Sequence, residues 1–175
     1  MKNNLQKYAK ILKNGGVGVI PTDTLYGLVG SAFSKKAINR IYKIKKRNKS
    51  KKLIILISSL SDLEKFKIKI SEEEAKILEK FWPGEVSIIL NDTAFRFPKK
   101  KSLLEILKCT GPLVAPSVNR ECEKPAENIK QAKGYFGDTV DFYLPGGILK
   151  SEPSTLIRIK NGNIEVLRQG KVFLV

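Results

Sequence analysis

The sequence contains no histidine among its 175 residues. This absence excludes the most common general base, every histidine-based metal site and every Ser-His catalytic triad. Cysteine is nearly absent: Cys109 and Cys122 do not form a Cys-x-x-Cys pair, so neither a zinc site nor a thioredoxin-type site is indicated. If the protein is an enzyme, its chemistry must use Lys, Arg, carboxylates, hydroxyls, backbone amides or a phosphate-bound metal.

Long apolar runs are also missing. No run approaches the roughly 20 residues that a membrane-spanning helix needs. The first residues, "MKNNLQKYAKILKNGG", lack the apolar core of a signal peptide. We therefore expect a soluble, cytoplasmic protein that does not associate with a membrane.

The two common glycine-rich phosphate motifs do not occur. There is no Gly-x-x-x-x-Gly-Lys-Ser/Thr loop, and the segment "GGVGVIP" has Pro21 where Gly-x-Gly-x-x-Gly needs its last glycine. Any phosphate binding must therefore rely on side chains.

Acidic residues are scarce relative to basic ones, 17 against 33, which gives a formal net charge of +16. Such a charge creates a positive field that attracts phosphates, nucleotides and RNA. The densest basic segment is "KIKKRNKSKK", residues 43–52. From composition alone this segment is a solvated surface, a nucleic-acid patch or part of a phosphate site.

Apolar periodicity predicts one α/β domain over residues 1–175. Helices are predicted near residues 4–13, 34–45, 101–108 and 127–136, with two more starting at Ser59 or Ser61 and at Ser71. Strands are predicted at residues 17–23, 25–33, 53–57, 85–90, 94–98, 112–119 and 141–144, and a hairpin around Asn161-Gly162. Because several strands are joined by hairpins, we expect a twisted mixed sheet with flanking helices.

Two polar pairs have a spacing that places both side chains on one side of an extended chain. If a helix ends near Lys45, then Lys45 and Arg47 can offer an ammonium and a guanidinium to one polyphosphate. Ser117 and Asn119 repeat this spacing at the end of an apolar strand, where ligands of α/β sheets commonly bind. Each pair alone also fits an ordinary solvated or turn-forming role.

The segment "PTDTLYG" places hydroxyl groups at Thr22, Thr24 and Tyr26 beside a flexible glycine. Asp23 in the same segment is either a magnesium ligand or a turn former. We favour the turn former.

Several segments together resemble one known family. In order along the chain they are "GGVGVIPTDTLYGL", Lys45-Lys46-Arg47 followed by "KKLIILI", then "FWPG", "SVN", "PST" and "LRQG". Their order and spacing resemble the YrdC/TsaC family of L-threonylcarbamoyladenylate synthases, in its short single-domain form, over about residues 10–170. One such segment would be weak evidence, whereas the ordered set is specific.

The resemblance implies a YrdC-like fold with a positively charged concave face. It implies that L-threonine and bicarbonate react with ATP to give threonylcarbamoyl-AMP and pyrophosphate. Mg²⁺ would be bound mainly through the ATP phosphates, with no metal held by protein side chains. The product would pass to a tRNA threonylcarbamoyl transferase complex for t6A modification of tRNAs that read ANN codons, and direct contact with tRNA or double-stranded RNA remains open.

The resemblance also implies site residues. Lys45 and Arg47 would be catalytic. The expected L-threonine contacts are Thr24, Arg96, Ser117 and Ser154. The expected ATP contacts are Lys45, Arg47, Lys51, Asn119 and Arg168. The neighbouring Lys43, Lys46, Lys49 and Lys52 would then be solvated residues that contribute to the field.

The sequence departs from the family pattern after Asn119, where "RECEKP" replaces a small glycine-containing turn. Lys52 stands where proline or glycine is usual, and Glu127 where a small hydroxyl residue is common. An alternative hypothesis is a non-catalytic double-stranded RNA- or tRNA-binding module of the same fold. The charge favours that alternative, but the aromatic residues are not interleaved with the basic ones as stacking platforms require.

Overall fold

The computed structural model describes residues 2–160 and 162–174 and is organised around one mixed sheet. The helices are α1 (Lys2–Lys13), α2 (Lys35–Lys45), α3 (Glu72–Phe81), α4 (Lys101–Thr110) and α5 (Ile129–Phe136). The strands are β1 (Val17–Pro21), β2 (Tyr26–Ser31), β3 (Ile55–Leu56), β4 (Val86–Leu90), β5 (Thr93–Arg96), β6 (Leu113–Val114), β7 (Phe142–Tyr143), β8 (Thr155–Lys160) and β9 (Asn163–Arg168). Two 3₁₀ turns cover Leu60–Phe66 and Gly137–Thr139.

The strand order across the sheet is β7-β1-β2-β6-β3-β5-β4-β8-β9. The pairs β1–β7, β3–β5 and β4–β8 are parallel, and the remaining neighbours are antiparallel. This arrangement confirms the expected mixed sheet with flanking helices.

Serine and asparagine caps set the starts of three helices. Ser34 accepts a hydrogen bond from the Ala37 amide at the start of α2. Ser71 and Glu74 form a reciprocal capping box at the start of α3, as the "SEEE" segment predicted. Asn128 caps α5, so that helix begins slightly later than residue 127.

One face of the sheet packs against helices, apart from the exposed edge strand β9. Its buried aliphatic residues include Val19, Ile55 and Ile88, which pack in one cluster with residues of α2, α3 and α5. Burial of this apolar surface is the main source of folding free energy.

The opposite face is covered only in part. Leu56 and Leu113 on this face pack with Leu12 of α1 and with Leu103 and Leu107 of α4. The strand residues in this second cluster belong to β1, β2, β3, β6 and β7. The same face of β5, β4, β8 and β9 lies outside that cluster, and this open half of the sheet positions the site.

The predicted strands at 53–57, 112–119 and 141–144 are longer than the observed β3, β6 and β7. Apolar composition indicates that a segment is buried, not that it pairs with a neighbouring strand. Part of each of these segments is buried without forming a continuous ladder of hydrogen bonds. Isolated ladder bonds do extend beyond the strands, because the Ala115 amide donates to the Ile54 carbonyl at 2.9 Å and the Leu28 amide donates to the Pro116 carbonyl at 2.8 Å.

The predicted hairpin joins β8 and β9, with Lys160 paired to Asn163. Asn161 lies outside the described residues. Gly162 has φ +73°, the left-handed conformation that glycine adopts readily.

Gly18 in β1 tests how tightly the second face is packed. A Cβ atom at this position would lie 2.2 Å from the ring of Phe142, which is itself stacked on Tyr8. We predict that Gly18→Ala lowers the free energy of unfolding in urea by about 1–3 kcal/mol. The matched control is Gly134→Ala in α5, where a Cβ would meet nothing within 4 Å. The control should gain up to about 1 kcal/mol, and equal stability of the two variants would contradict the packing described here.

Candidate active site

A cavity of about 400 Å³ lies on the open half of the sheet. Its volume is in the range of about 300–1,000 Å³ that small-molecule sites commonly occupy. Its charged lining residues are Arg47, Lys52, Asp92, Arg96, Arg158 and Arg168. Cations therefore outnumber carboxylates in this lining, and the cavity suits an anionic ligand.

The register of the strands explains how residues that are far apart in sequence form the floor of this cavity. Ile89 of β4 pairs with Ala94 of β5 and with Arg158 of β8. Leu156 of β8 pairs with Arg168 of β9. Because cross-strand partners point to the same side of a sheet, all five line the cavity together.

The structure brings six of the predicted site residues into the lining. They are Thr24, Arg47, Arg96, Ser117, Ser154 and Arg168. Lys45, Lys51 and Asn119 do not line the cavity. Lys52, predicted to be only a solvated neighbour, is exposed but does line it, and its ammonium donates to the Asp92 carbonyl at 2.8 Å.

Lys45 is the last residue of α2 and is 2% exposed. Its ammonium donates to the carbonyls of Ser117 and Asn119, each at 2.6 Å, and to Asn119 Oδ1 at 2.9 Å. Three donors and three acceptors are thus matched, and the ammonium fixes the loop that follows β6.

The expected extended chain after Lys45 is wrong. Lys46 caps α2 in the left-handed conformation, with φ 50° and ψ 38°. Lys45 and Arg47 therefore do not share one side: Lys45 reaches the Ser117–Asn119 loop, while Arg47 lines the cavity. The Arg47 Nε donates to the Lys51 carbonyl at 3.1 Å, which holds this guanidinium against its own loop.

The environment of Lys45 also changes its protonation. Burial and, to a smaller extent, charge repulsion from Arg47 lower the pKa of its ammonium from 10.5 to about 8, and the charge of Glu121 partly opposes this change. The group therefore lies closer to neutrality than an ordinary lysine while retaining its charge at pH 7.

Arg96 forms a buried ion pair with Asp23. The Arg96 Nη2 lies 2.9 Å from Asp23 Oδ1, and each side chain is 5% exposed. Asp23 Oδ2 and Arg96 Nε have no hydrogen-bond partner among the described residues. Burial raises the pKa of Asp23, whereas the Arg96 charge acts in the opposite direction. The interpretation of Asp23 as a turn former missed this pair, since nothing in the local sequence marks a contact between positions 73 apart.

Short bonds hold the turn that presents Asp23. The Thr22 hydroxyl donates to the Leu25 carbonyl at 2.6 Å, and the Lys100 ammonium donates to the Thr22 carbonyl at 3.0 Å. Thr24 is buried beside them, with its hydroxyl 3.3 Å from that of Thr22. The turn therefore supplies the Thr24 hydroxyl to the cavity lining, and it holds the Asp23 carboxylate against Arg96, outside the lining.

Arg168 and Ser154 also line the cavity and are bonded to each other. The Arg168 Nη2 donates to the Ser154 carbonyl at 2.7 Å, and the Ser154 and Ser87 hydroxyls share a hydrogen bond of 2.8 Å. Burial lowers the pKa of Arg168, and the charges of Arg96 and Arg47 add to that effect. Ser87 was not predicted, although a hydroxyl within the apolar strand "VSIIL" was a visible signal.

The described residues contain no group of three or more His, Cys, Asp or Glu side chains that could hold a metal ion. Asp92 supplies the only carboxylate among the described lining residues. This lining suits an anion that carries its own counter-ion better than a protein-bound metal.

None of the helices in the described part of the chain has both the length and the apolarity needed to cross a membrane.

The fold and the cavity define a class of protein: an α/β domain with an anion-attracting cavity on the open half of a mixed sheet. The chain belongs to the Sua5/YciO/YrdC family, whose description is "Telomere recombination" and which matches residues 10–170.

Relatives cover most of the chain. It is 28% identical over 181 residues to the threonylcarbamoyl-AMP synthase of Hahella chejuensis, covering 94% of this chain and 97% of the relative. The crystal structure of E. coli YciO matches with TM-score 0.87 and 21% identity over 97% of this chain and 90% of that chain. The structure of P. abyssi Sua5 complexed with L-threonine matches with TM-score 0.88 and 24% identity, covering 97% of this chain and 55% of that chain. The chain thus spans about half the length of the P. abyssi protein, and both structural matches show the shared fold.

The Asp23–Arg96 pair gives a stability prediction. Asp23→Asn keeps the shape of the side chain but leaves the Arg96 guanidinium buried without a counter-charge. We predict that unfolding in urea will show a loss of about 3–5 kcal/mol. Asp138→Asn, which alters an exposed carboxylate, should change stability by less than about 0.5 kcal/mol. A loss for Asp23→Asn as small as that of the control would show that the pair does not support the site.

Proposed function

We propose that the protein is an L-threonylcarbamoyladenylate synthase. It converts L-threonine, bicarbonate and ATP into threonylcarbamoyl-AMP and pyrophosphate, and it is therefore a nucleotidyltransferase. The observation that carries this proposal is the cavity, which combines a cationic lining with buried hydroxyl groups at the positions of the family motifs. Relatives that bear the name threonylcarbamoyl-AMP synthase and cover most of the chain support it.

The lining divides by chemistry into two parts. The guanidinium groups of Arg47 and Arg168 and the ammonium of Lys52 suit the ATP phosphates, because such groups form charge-assisted hydrogen bonds with phosphate oxygens. Ser117, an expected L-threonine contact, also lines the cavity, and its hydroxyl donates to Asn119 Oδ1 at 2.8 Å.

Thr24, Arg96 and Ser154 suit the amino acid. The buried Arg96 Nε has no hydrogen-bond partner in the described part of the chain, and a substrate carboxylate would complete its hydrogen bonding. The P. abyssi relative was solved with L-threonine, which supports this half of the assignment. Asp23 would hold the Arg96 guanidinium in place and compensate its charge before substrate arrives.

The reaction needs positioning more than acid–base chemistry. The threonine amine and carbon dioxide from bicarbonate give a carbamate, and a carbamate oxygen attacks the α-phosphorus of ATP. The bond between the α-phosphorus and the bridging oxygen breaks, and pyrophosphate leaves with that oxygen. The cationic side chains of the lining stabilise the charge that develops on the phosphates. This mechanism needs no strong general base, which is consistent with a chain that lacks histidine.

Lys45 and Asn119 lie outside the cavity lining and are bonded to each other. In the present geometry the Lys45 ammonium positions the loop that carries Ser117 and Asn119, so its contribution to ATP binding passes through that loop. Mg²⁺ would enter as part of the MgATP substrate, since Asp92 is the single carboxylate among the lining residues that the structure describes.

Hand-over of the product to a tRNA threonylcarbamoyl transferase complex, t6A modification of ANN-reading tRNAs and a cytoplasmic location complete the proposal. Direct binding of tRNA or double-stranded RNA is the alternative role, favoured by the net charge of +16.

Pyrophosphate release from ATP and Mg²⁺, with L-threonine or bicarbonate omitted in turn, tests the proposal. Release that requires both compounds would establish the synthase. No release, together with tight and salt-sensitive tRNA binding, would favour the RNA-binding alternative.

Removal of the Arg47 guanidinium should impair catalysis strongly. We predict that Arg47→Ala lowers kcat/KM by an amount equivalent to about 2–4 kcal/mol of transition-state stabilisation. Lys49→Ala removes an exposed cation from the same segment and should leave turnover at saturating substrate nearly unchanged. Near-normal kcat/KM in Arg47→Ala would contradict the placement of ATP.

A further inference from the structure

The charged segment after Asn119 contacts the basic segment of residues 43–52 directly. Glu121 in the charged segment has a carboxylate that is largely covered, with 22% side-chain exposure. Its backbone amide donates to the Lys45 carbonyl at 3.1 Å. The segment is thereby joined to the end of α2, next to the basic residues 43–52.

The carboxylate of Glu121 makes two further contacts with that basic segment. Its Oε1 lies 2.5 Å from the Lys51 ammonium, and its Oε2 accepts a hydrogen bond from the Asn48 amide at 3.3 Å. The hydrogen bond from Lys51 lowers the pKa of Glu121, so the carboxylate is charged at neutral pH. One side chain thus joins the two loops that border the cavity.

Lys51 is surrounded in sequence by cavity residues but does not itself line the cavity. Ser50 and Lys52 are in the lining, and the Lys51 carbonyl accepts the hydrogen bond from Arg47 Nε. Its ammonium, 58% exposed as a side chain, faces Glu121 instead. A rotamer change can turn this exposed ammonium from Glu121 toward the cavity bordered by Ser50 and Lys52, because exposed lysine side chains change rotamer readily.

We propose that Glu121 sets the affinity of the site for nucleoside triphosphates by competing with their phosphates for Lys51. This inference rests on the proposed function and deepens it. The Glu121 carboxylate neutralises Lys51 and adds a negative charge to the segment beside the cavity. A triphosphate must displace the carboxylate before it gains the ammonium, and like-charge repulsion weakens its approach.

The test is direct binding of MgATP by titration calorimetry, without turnover. Glu121→Gln keeps the shape of the side chain and an oxygen for the Asn48 amide, but it removes the charge. We expect this variant to bind MgATP about three- to tenfold more tightly. Adenosine, which carries no phosphate, should bind both proteins equally.

Glu123→Gln is the matched control. It removes the same charge from the same exposed segment, and no ion pair of the Glu123 carboxylate is present among the described residues. We expect its affinity for MgATP to change by less than about twofold. An equal gain in both variants would show a general charge effect and would overturn the role of Glu121.

Lys51→Met completes a double-mutant cycle. In the background of Lys51→Met, the gain from Glu121→Gln should fall to that of the Glu123→Gln control. An unchanged gain in that background, or an affinity of Glu121→Gln equal to or weaker than that of the unaltered protein, would overturn the inference alone. Absence of MgATP binding in every variant would overturn both the inference and the proposed function.

Discussion

The cavity depends on the ammonium of Lys45, a buried cation whose bonded partners are backbone and amide oxygens. This group joins the end of α2 to the loop after β6, two segments separated by more than seventy positions. Removing the ammonium would take this donor from the Ser117 and Asn119 carbonyls, whereas Asn119 Oδ1 would keep the hydrogen bond from the Ser117 hydroxyl. Each buried acceptor left without a donor carries a desolvation penalty of about 1–3 kcal/mol. The placement of Ser117 and Asn119 therefore follows from one side chain outside the cavity.

The second constraint is the uneven covering of the sheet. Both faces of β1, β2, β6 and β3 are packed by helices, whereas one face of β5, β4, β8 and β9 is open and carries arginines among apolar residues. Arg96 and Arg158 occupy positions on this face that correspond to Leu56 and Leu113 in the covered half. Because these arginines lie on the half of the sheet that no helix covers, they form a cationic floor for the cavity without interrupting the core.

Most of the fold could be predicted from local sequence. The serine caps of α2 and α3, the apolar strands and the β8–β9 hairpin all depend on neighbouring residues, and each was found. The conformation of Lys46 was not, because a left-handed lysine at a helix end has no residue-type marker comparable to glycine. Because Lys46 adopts this conformation, the side chains of Lys45 and Arg47 point in different directions.

The site was predictable to the extent that its residues carry motifs. Thr24, Arg96 and Ser154 were placed by resemblance, and the structure gathers them in one cavity. Asp23, Arg158 and Ser87 were missed because their roles arise from tertiary contact or strand register. Glu121 was visible as a departure from the family pattern, but its partner could not be inferred until the two loops were seen together.

The most direct test of this account is the titration of Lys45 itself. The ¹⁵Nζ and ¹³Cε shifts of lysine-labelled protein, assigned with Lys45→Met, would give its pKa in the folded state. A value close to the expected pKa of about 8 would confirm a buried ammonium held by the loop after β6. An ordinary value near 10.5 would contradict that burial and, with it, the proposed support of the cavity.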